Sequence, residues 1–131
     1  MILRSRIIEN IEIVLLFLIF LFTDTATQIF LKIGATHLGD PSFAEFPLFL
    51  NYLKDLIGNF YILTAIFFVL IAFLSWLAIL SKIDLSKAQI MNSFVYVTVP
   101  LASIIFLKEN IQWTQMVGII CVSLGALIAA K

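Results

Sequence analysis

Charge is scarce in this chain: Asp, Glu, Lys and Arg make up 12% of its 131 residues, against about 25% in soluble domains. The eight basic and eight acidic residues cancel, so there is no basic surface to attract nucleic acid. A single cysteine, Cys121, excludes an internal disulfide, and with His37 as the one histidine no Cys/His metal site can be assembled. No glycine cluster precedes a Lys-Ser/Thr pair and no hydrolase triad has its parts. No cofactor and no enzymatic chemistry are therefore expected. Apolar side chains are abundant instead, at 63% of the residues with a mean hydropathy of +1.14. The composition is that of an integral membrane protein.

A helix needs about 20 mostly apolar residues to span the hydrocarbon core. Four stretches qualify, over residues 11–33, 57–81, 87–107 and 111–130. Backbone groups in lipid must be bonded within their own segment, and four strands cannot close a barrel, so all four are expected to be helices. The fold class is thus all-α: a single domain, residues 1–131, forming an antiparallel bundle of four transmembrane helices. Arg4 and Arg6 precede the first apolar run in the manner of a signal peptide, but no convincing cleavage site follows and the run is long, so a retained helix is expected. The turns at Lys82–Lys87 and Lys108–Asn110 are short and impose antiparallel neighbours. Between the first two spans, residues 43–55 suit a helix lying at the membrane interface. An apolar loop packed on the bundle end suits the same residues.

Orientation follows the Lys/Arg bias of the short loops. Arg4, Arg6, Lys82, Lys87 and Lys131 fall on one side, and Lys32, Lys54 and Lys108 on the other. The bias places both termini in the cytoplasm. Its margin is small, which leaves dual insertion open.

Few polar residues lie inside the spans. Asp24 falls about two residues past the centre of the first, roughly 3 Å from the membrane midplane at ~1.5 Å rise per residue. An ionised carboxylate there costs about 2.5–3.5 kcal/mol on insertion scales, so such residues face a bundle interior or a wet cavity. Asp24 is a candidate proton or cation site; a carboxyl hydrogen-bonded to a neighbouring helix is the structural alternative. Thr27 and Gln28 share its helix face at i+3 and i+4, with Lys32 one turn further. In the third span Gln89, Asn92, Ser93 and Tyr96 form a second polar stripe at i, i+3, i+4 and i+7, continued by Pro100 and Ser103. Burying the stripes against each other would create a hydrated site. Pro100 removes one helical hydrogen bond, that to the Tyr96 carbonyl, and marks a helix kink. Gly118 and Gly125 give the last span a small-residue strip for close helix approach, a candidate dimer contact.

Three segments carry a family resemblance. Gln28 to Gly34 resembles the Gln-x-x-x-Lys ending of the first helix in EamA-like proteins. The stretch from Trp76 to Ser86 resembles their Trp-Leu…Leu-Ser turn. Lys108-Glu109-Asn110-Ile111 with Gln115, Gly118 and Gly125 resembles their closing pattern. In order and spacing the chain looks like a four-helix member of the drug/metabolite transporter superfamily, similar both to EamA-like half-units and to small multidrug resistance proteins.

The resemblance carries further expectations. Counted back from Lys32, Asp24 occupies the position of the membrane-embedded acid that binds proton and drug in the small multidrug resistance proteins. Their aromatic third-helix partners correspond here to Gln89 and Asn92, which leaves Tyr96 as the one ring of a cation–π cage. Gln28, Lys32 and Trp76 look more like the paired subunits that flip aminoarabinose-phosphoundecaprenol across the bacterial inner membrane. The expected protein is a dimeric, flippase-like transporter of a polar or lipid-linked metabolite, as homodimer or with a second small subunit. Its lipid partner would be of the polyprenyl-phosphate-linked sugar kind. Substrate or protons would meet Asp24, Thr27, Gln28, Lys32, Gln89, Asn92, Ser93 and Tyr96. A proton-coupled exporter of small cations is the rival within transport. A non-transporting accessory subunit of a partner enzyme is the rival outside it.

Overall fold

The computed structural model of the chain describes residues 2–40 and 46–129, with side chains described from residue 9 onward. Helix α1 runs Ile2–Leu38, unbroken over 37 residues. It stops where Gly39 turns left-handed at φ 74, its N–H donating to the Ala35 carbonyl at 3.1 Å; glycine adopts this cap without a Cβ penalty. Helix α2, Phe46–Gly58, carries Pro47 in its first turn, where a missing N–H costs nothing. Residues 43–45 of the expected interfacial helix lie outside the described residues, as do Ala130, Lys131 and the side chains of Arg4 and Arg6.

Helix α3, Phe60–Leu80, is apolar over all 21 residues except Thr64 and Ser75. Asn59 caps it, its side-chain oxygen accepting from the Tyr61 and Ile62 N–H groups at 2.9 and 3.3 Å. A tight turn at 81–84 leads into α4, Leu85–Asn92, then α5, Val95–Ala102, and a π-helical segment, Ser103–Leu107. Together these three make a 23-residue apolar rod. Pro100 lies inside α5, while α-helical regularity is lost on either side of it, at Ser93–Phe94 and from Ser103. Lys108, left-handed at φ 54, ends the rod.

Three helices are long and apolar enough to cross a membrane: Glu9–Leu38, Phe60–Leu80 and the rod Leu85–Leu107. The fourth expected span is shorter than the sequence suggests. Helix α6, Trp113–Ala129, has 17 residues, about 25 Å at ~1.5 Å per residue, less than the ~30 Å hydrocarbon core. Its start is set by a side-chain cap rather than by hydropathy. The Gln112 N–H donates to Gln115 Oε1 at 2.9 Å, the N3-side-chain half of a capping box, and the Gln112 carbonyl accepts the first helical bonds from the Gln115 and Met116 N–H groups, so the helix begins at Trp113 and not Ile111. The described residues therefore form an all-α, multi-span membrane fold with three full-length spans and one shorter apolar helix.

Packing centres on α1 against α3, with α5 completing the other side of α1. Phe20, Ala72, Ile79 and Ala88 form the core, flanked by Leu16, Phe17, Trp76, Leu80, Ile83 and Val95. Small and hydroxyl side chains lie inside (Thr23, Thr27, Ala65, Ser75), while Leu18, Phe22, Phe67, Leu70 and Leu74 face outward. That inversion suits a lipid solvent, in which helices associate by close approach rather than by apolar burial. Gly34 lets the two helices come close, since a Cβ there would lie 2.5 Å from Ile62 Cδ1. Ion pairs tie two levels of α1 to other elements: Glu12 with Lys82 at 2.9 Å and Lys32 with Glu109 at 3.7 Å. Their partners follow the end of α3 and the end of the rod, as expected where α3 runs antiparallel to α1 and the rod returns beside it.

Candidate functional site

The two polar stripes meet. A cavity of about 480 Å³ is lined by Asp24 and Gln28 from α1, by Gln89 and Asn92 from α4 and by Tyr96 from α5. Val69, Ala72, Phe73 and Trp76 of α3 add most of the remaining wall, with Phe20 and Val95. These α3 residues fall at i, i+3, i+4 and i+7, one helix face. Beside the cavity Thr25 and Thr98 share a hydrogen bond of 3.0 Å between their hydroxyls, pinning α1 to α5 one residue past Asp24. Asp24 itself is half-buried. Among the described residues it has neither an ion-pair partner nor a side-chain hydrogen bond. Its carboxyl, with the amides of Gln28, Gln89 and Asn92, is left for whatever enters the cavity.

Two residues of the stripes do not contribute. Thr27 is buried and its hydroxyl donates to the Thr23 carbonyl at 2.8 Å. The Ser93 hydroxyl donates to the Ile90 carbonyl at 2.6 Å. Both return to their own helix, and neither lines a cavity. This is the ordinary fate of hydroxyls in apolar helices, where the i−4 or i−3 carbonyl is the nearest acceptor.

Lys32 belongs to a second, larger cavity of about 770 Å³ between α1, α5, the π-helical segment and α6. Ser103, Glu109, Asn110 and Gln115 also line it, with Pro100 and Gly118. Gln28 and Tyr96 line both cavities and form the partition between them. The set expected as one site is thus divided across two adjoining spaces. Gly118 and Gly125 lie exposed on α6, and a Cβ built on either meets nothing within 4 Å. The chain does not use this strip for its own packing.

Sequence reasoning missed the aromatic wall. Phe73 and Trp76 stand on the cavity beside Asp24, with Trp76 tilted by 32° against Phe20 at 5.0 Å between ring centroids. Rings absent from the third span are supplied by α3. The 69/72/73/76 spacing was present, but in a helix apolar all round no face announces itself. Glu109 and Gln115 carried a motif without a role; the fold gives them a cavity.

Residues 10–130 match the EamA-like transporter family. The chain belongs to that family. The match takes in every residue of both cavities and the glycine strip of α6. Members of the EamA-like family are transporters and not enzymes, so this chain is a multi-pass membrane transport protein of the drug/metabolite transporter type. Among the described residues no group of three His, Cys, Asp or Glu side chains stands close enough to hold a metal ion. Neither a curated protein nor a solved structure matches the chain.

Proposed function

We propose that this EamA-like chain is a half-size transporter that works as a dimer, moving a polar or lipid-linked metabolite by alternating access through the Asp24 cavity. The observation that carries the reading is the convergence of Asp24, Gln28, Gln89, Asn92 and Tyr96 on one space near the middle of the membrane. Polar side chains at that depth are expensive unless they serve a pathway. Asp24 serves as the protonation or cation site, and the amides and the Tyr96 phenol hold substrate polar groups. The α6 helix acts as the fourth span, and the termini face the cytoplasm of a bacterial inner membrane, in line with the loop-charge bias. Dimerisation through Gly118 and Gly125 encloses the path, because one chain this small leaves its cavities open on a side. The test is transport in proteoliposomes under an imposed pH gradient. Flux should be lost in Asp24→Asn and retained in part in Asp24→Glu; full activity of Asp24→Asn removes Asp24 from the mechanism.

A second reading is favoured by the aromatic wall. Trp76, Phe73 and Tyr96 around a carboxyl suit an organic cation, with ring faces and an anion acting together. Protection of cells against quaternary ammonium compounds, lost on Trp76→Leu, would select this cation exporter over the flippase-like reading.

A further inference from the structure

We infer that α2 is a membrane-surface anchor. Its stripe of Phe46, Leu50, Leu53 and Ile57 enters the boundary between headgroups and acyl chains of a lipid bilayer, and by this contact α2 holds the uncharged end of α3 at its depth. The partner is a lipid surface, and the contact does not depend on what the chain transports.

Three faces divide α2, Phe46–Gly58. At ~3.6 residues per turn the stripe falls within about 60° of arc, and all four of its side chains are exposed. Phe49, Tyr52 and Leu56 occupy the next arc and are half-buried, which makes theirs the packed face. Asn51, Lys54 and Asp55 lie on the far side of the stripe, all exposed. A helix packed on one side and polar on another has no use for a third, apolar face in water, where each of these side chains would gain by leaving. Such a division suits a helix lying in an interface, half in lipid and half in water.

The surroundings name lipid as the occupant. With 13 residues, α2 is about 20 Å long at ~1.5 Å per residue, too short to cross the ~30 Å hydrocarbon core. It touches both α1 and α3 but shares no long seam with either, unlike those two with each other. Ile57 stands just ahead of Phe60, the start of an exposed row on α3 that continues through Leu63, Phe67, Leu70 and Leu74. That helix is long and apolar enough to cross a membrane, and its exposed row is a lipid-facing one. The two helices meet at a bonded corner. The Asn59 N–H donates to the Leu56 carbonyl at 3.3 Å, and the Asn59 side chain caps α3. A second copy fits the stripe less well, because four partly exposed side chains fall well short of the ~800 Å² per partner of a standard interface. Lys54 and Asp55 cancel, so the contact is apolar and selects no headgroup charge.

Helix α3 needs such an anchor. It has no charged residue from Phe60 to Leu80. Its far end is followed by Lys82, paired with Glu12 at 2.9 Å. At its near end the closest charges in the sequence are Asp55 and Lys54, both on the polar face of α2. The depth of α3 matters to the cavity beside Asp24, whose wall includes Val69, Ala72, Phe73 and Trp76.

The test is depth, read on the full-length protein in phosphatidylcholine nanodiscs. Nitroxide labels are placed singly, by cysteine substitution in a Cys121→Ser chain, at the four stripe positions and at Asn51 and Asp55. Collisions with oxygen, which concentrates in lipid, are compared with collisions with a water-soluble nickel chelate. The oxygen-to-nickel ratio should be several-fold higher at every stripe position than at Asn51 or Asp55. It should not change when phosphatidylglycerol replaces half of the phosphatidylcholine; a rise would overturn the apolar character of the contact. Leu53→Asp should draw the stripe toward water and lower the ratio several-fold at Ile57→Cys and, with it, at Phe60→Cys. Nickel-accessible stripe positions overturn the lipid contact. Labels shielded from both reagents overturn it too, and assign the stripe to a second copy or another protein. A fall at Ile57 without one at Phe60 overturns the anchoring of α3, and no fall at either overturns both. Should one cysteine variant fail to fold, the other stripe positions carry the same readout, and Leu50→Asp replaces Leu53→Asp.

Discussion

Asp24 is an acidic side chain well inside an apolar span, half-buried and on the wall of a cavity. A charged residue at a helix centre opposes insertion by about 2.5–3.5 kcal/mol. Asn carries no such penalty, so Asp24→Asn should fold and insert at least as well as the unmodified chain while losing proton-dependent flux. A lower melting temperature in detergent for the Asn variant would instead assign the carboxyl a structural bond. Lys108 is the reverse case, a residue whose backbone is strained by position. Its φ of 54 is the left-handed region, which costs a side-chain-bearing residue about 1–2 kcal/mol and glycine almost nothing. Lys108→Gly should raise stability by about 1 kcal/mol, and Lys108→Val should lower it. An unchanged melting temperature in both variants would mean that the turn relaxes without that residue.

Helices pack here through what they leave out. The α1–α3 seam is built from Thr23, Thr27, Gly34, Ala65, Ala72 and Ser75, every one of them buried. Gly34→Leu should therefore overpack against Ile62 and cost about 1–3 kcal/mol, read as a lower melting temperature with the helices still inserted. On the outer side of the same pair, aromatic rings form a ladder through Phe22, Phe68, Phe30, Tyr61 and His37. Its tightest step is Tyr61 on His37, stacked at 5.2 Å. Much of this scale was legible in the sequence. The few polar residues stand out against an apolar background, so the meeting of Asp24 and Gln28 with Gln89, Asn92 and Tyr96 could be read from spacing alone. What could not be read depends on competition between neighbours. The break at Ser93–Phe94 is carried by no proline, and the start of α6 is set by a Gln112–Gln115 cap that outweighs the hydropathy of Ile111. The division of one expected site into two cavities depends on where α6 and the π-helical segment lean, and residue spacing along one helix holds no record of that. Hydroxyl stripes mislead for a simpler reason: Thr27 and Ser93 find acceptors in their own helices before they find each other.

At the scale of the molecule, α1 is the ruler. Glu12 and Lys32 stand about 30 Å apart along it at ~1.5 Å per residue, the thickness of the hydrocarbon core, and each is paired with a charge from another element at its own membrane face. Exposed pairs of this kind contribute at most about 1 kcal/mol, so they set depth more than they hold the fold. Helix α6 contrasts with this anchoring. It has no buried residue, and its glycines face open space, so its close-approach surface is unspent within the chain. We expect that surface to meet a second copy. Gly118 also borders the larger cavity, so a change there confounds assembly with binding; Gly125 does not, which makes it the sharper probe. Gly125→Leu fills no internal space and should leave the stability of the single chain within about 0.5 kcal/mol of the original, while shifting a dimer toward monomer in mild detergent. Cys121, exposed between the two glycines, reports on the same contact. In membranes it should cross-link to its counterpart under mild oxidation, and Gly125→Leu should suppress the product. Gly34→Leu provides the control, since it loads the internal seam and should lower stability without touching the cross-link. A Gly125→Leu chain that remains dimeric and cross-links as before would show that the glycine strip is not the contact, and the path would then have to be enclosed through α2 or the outer face of α3.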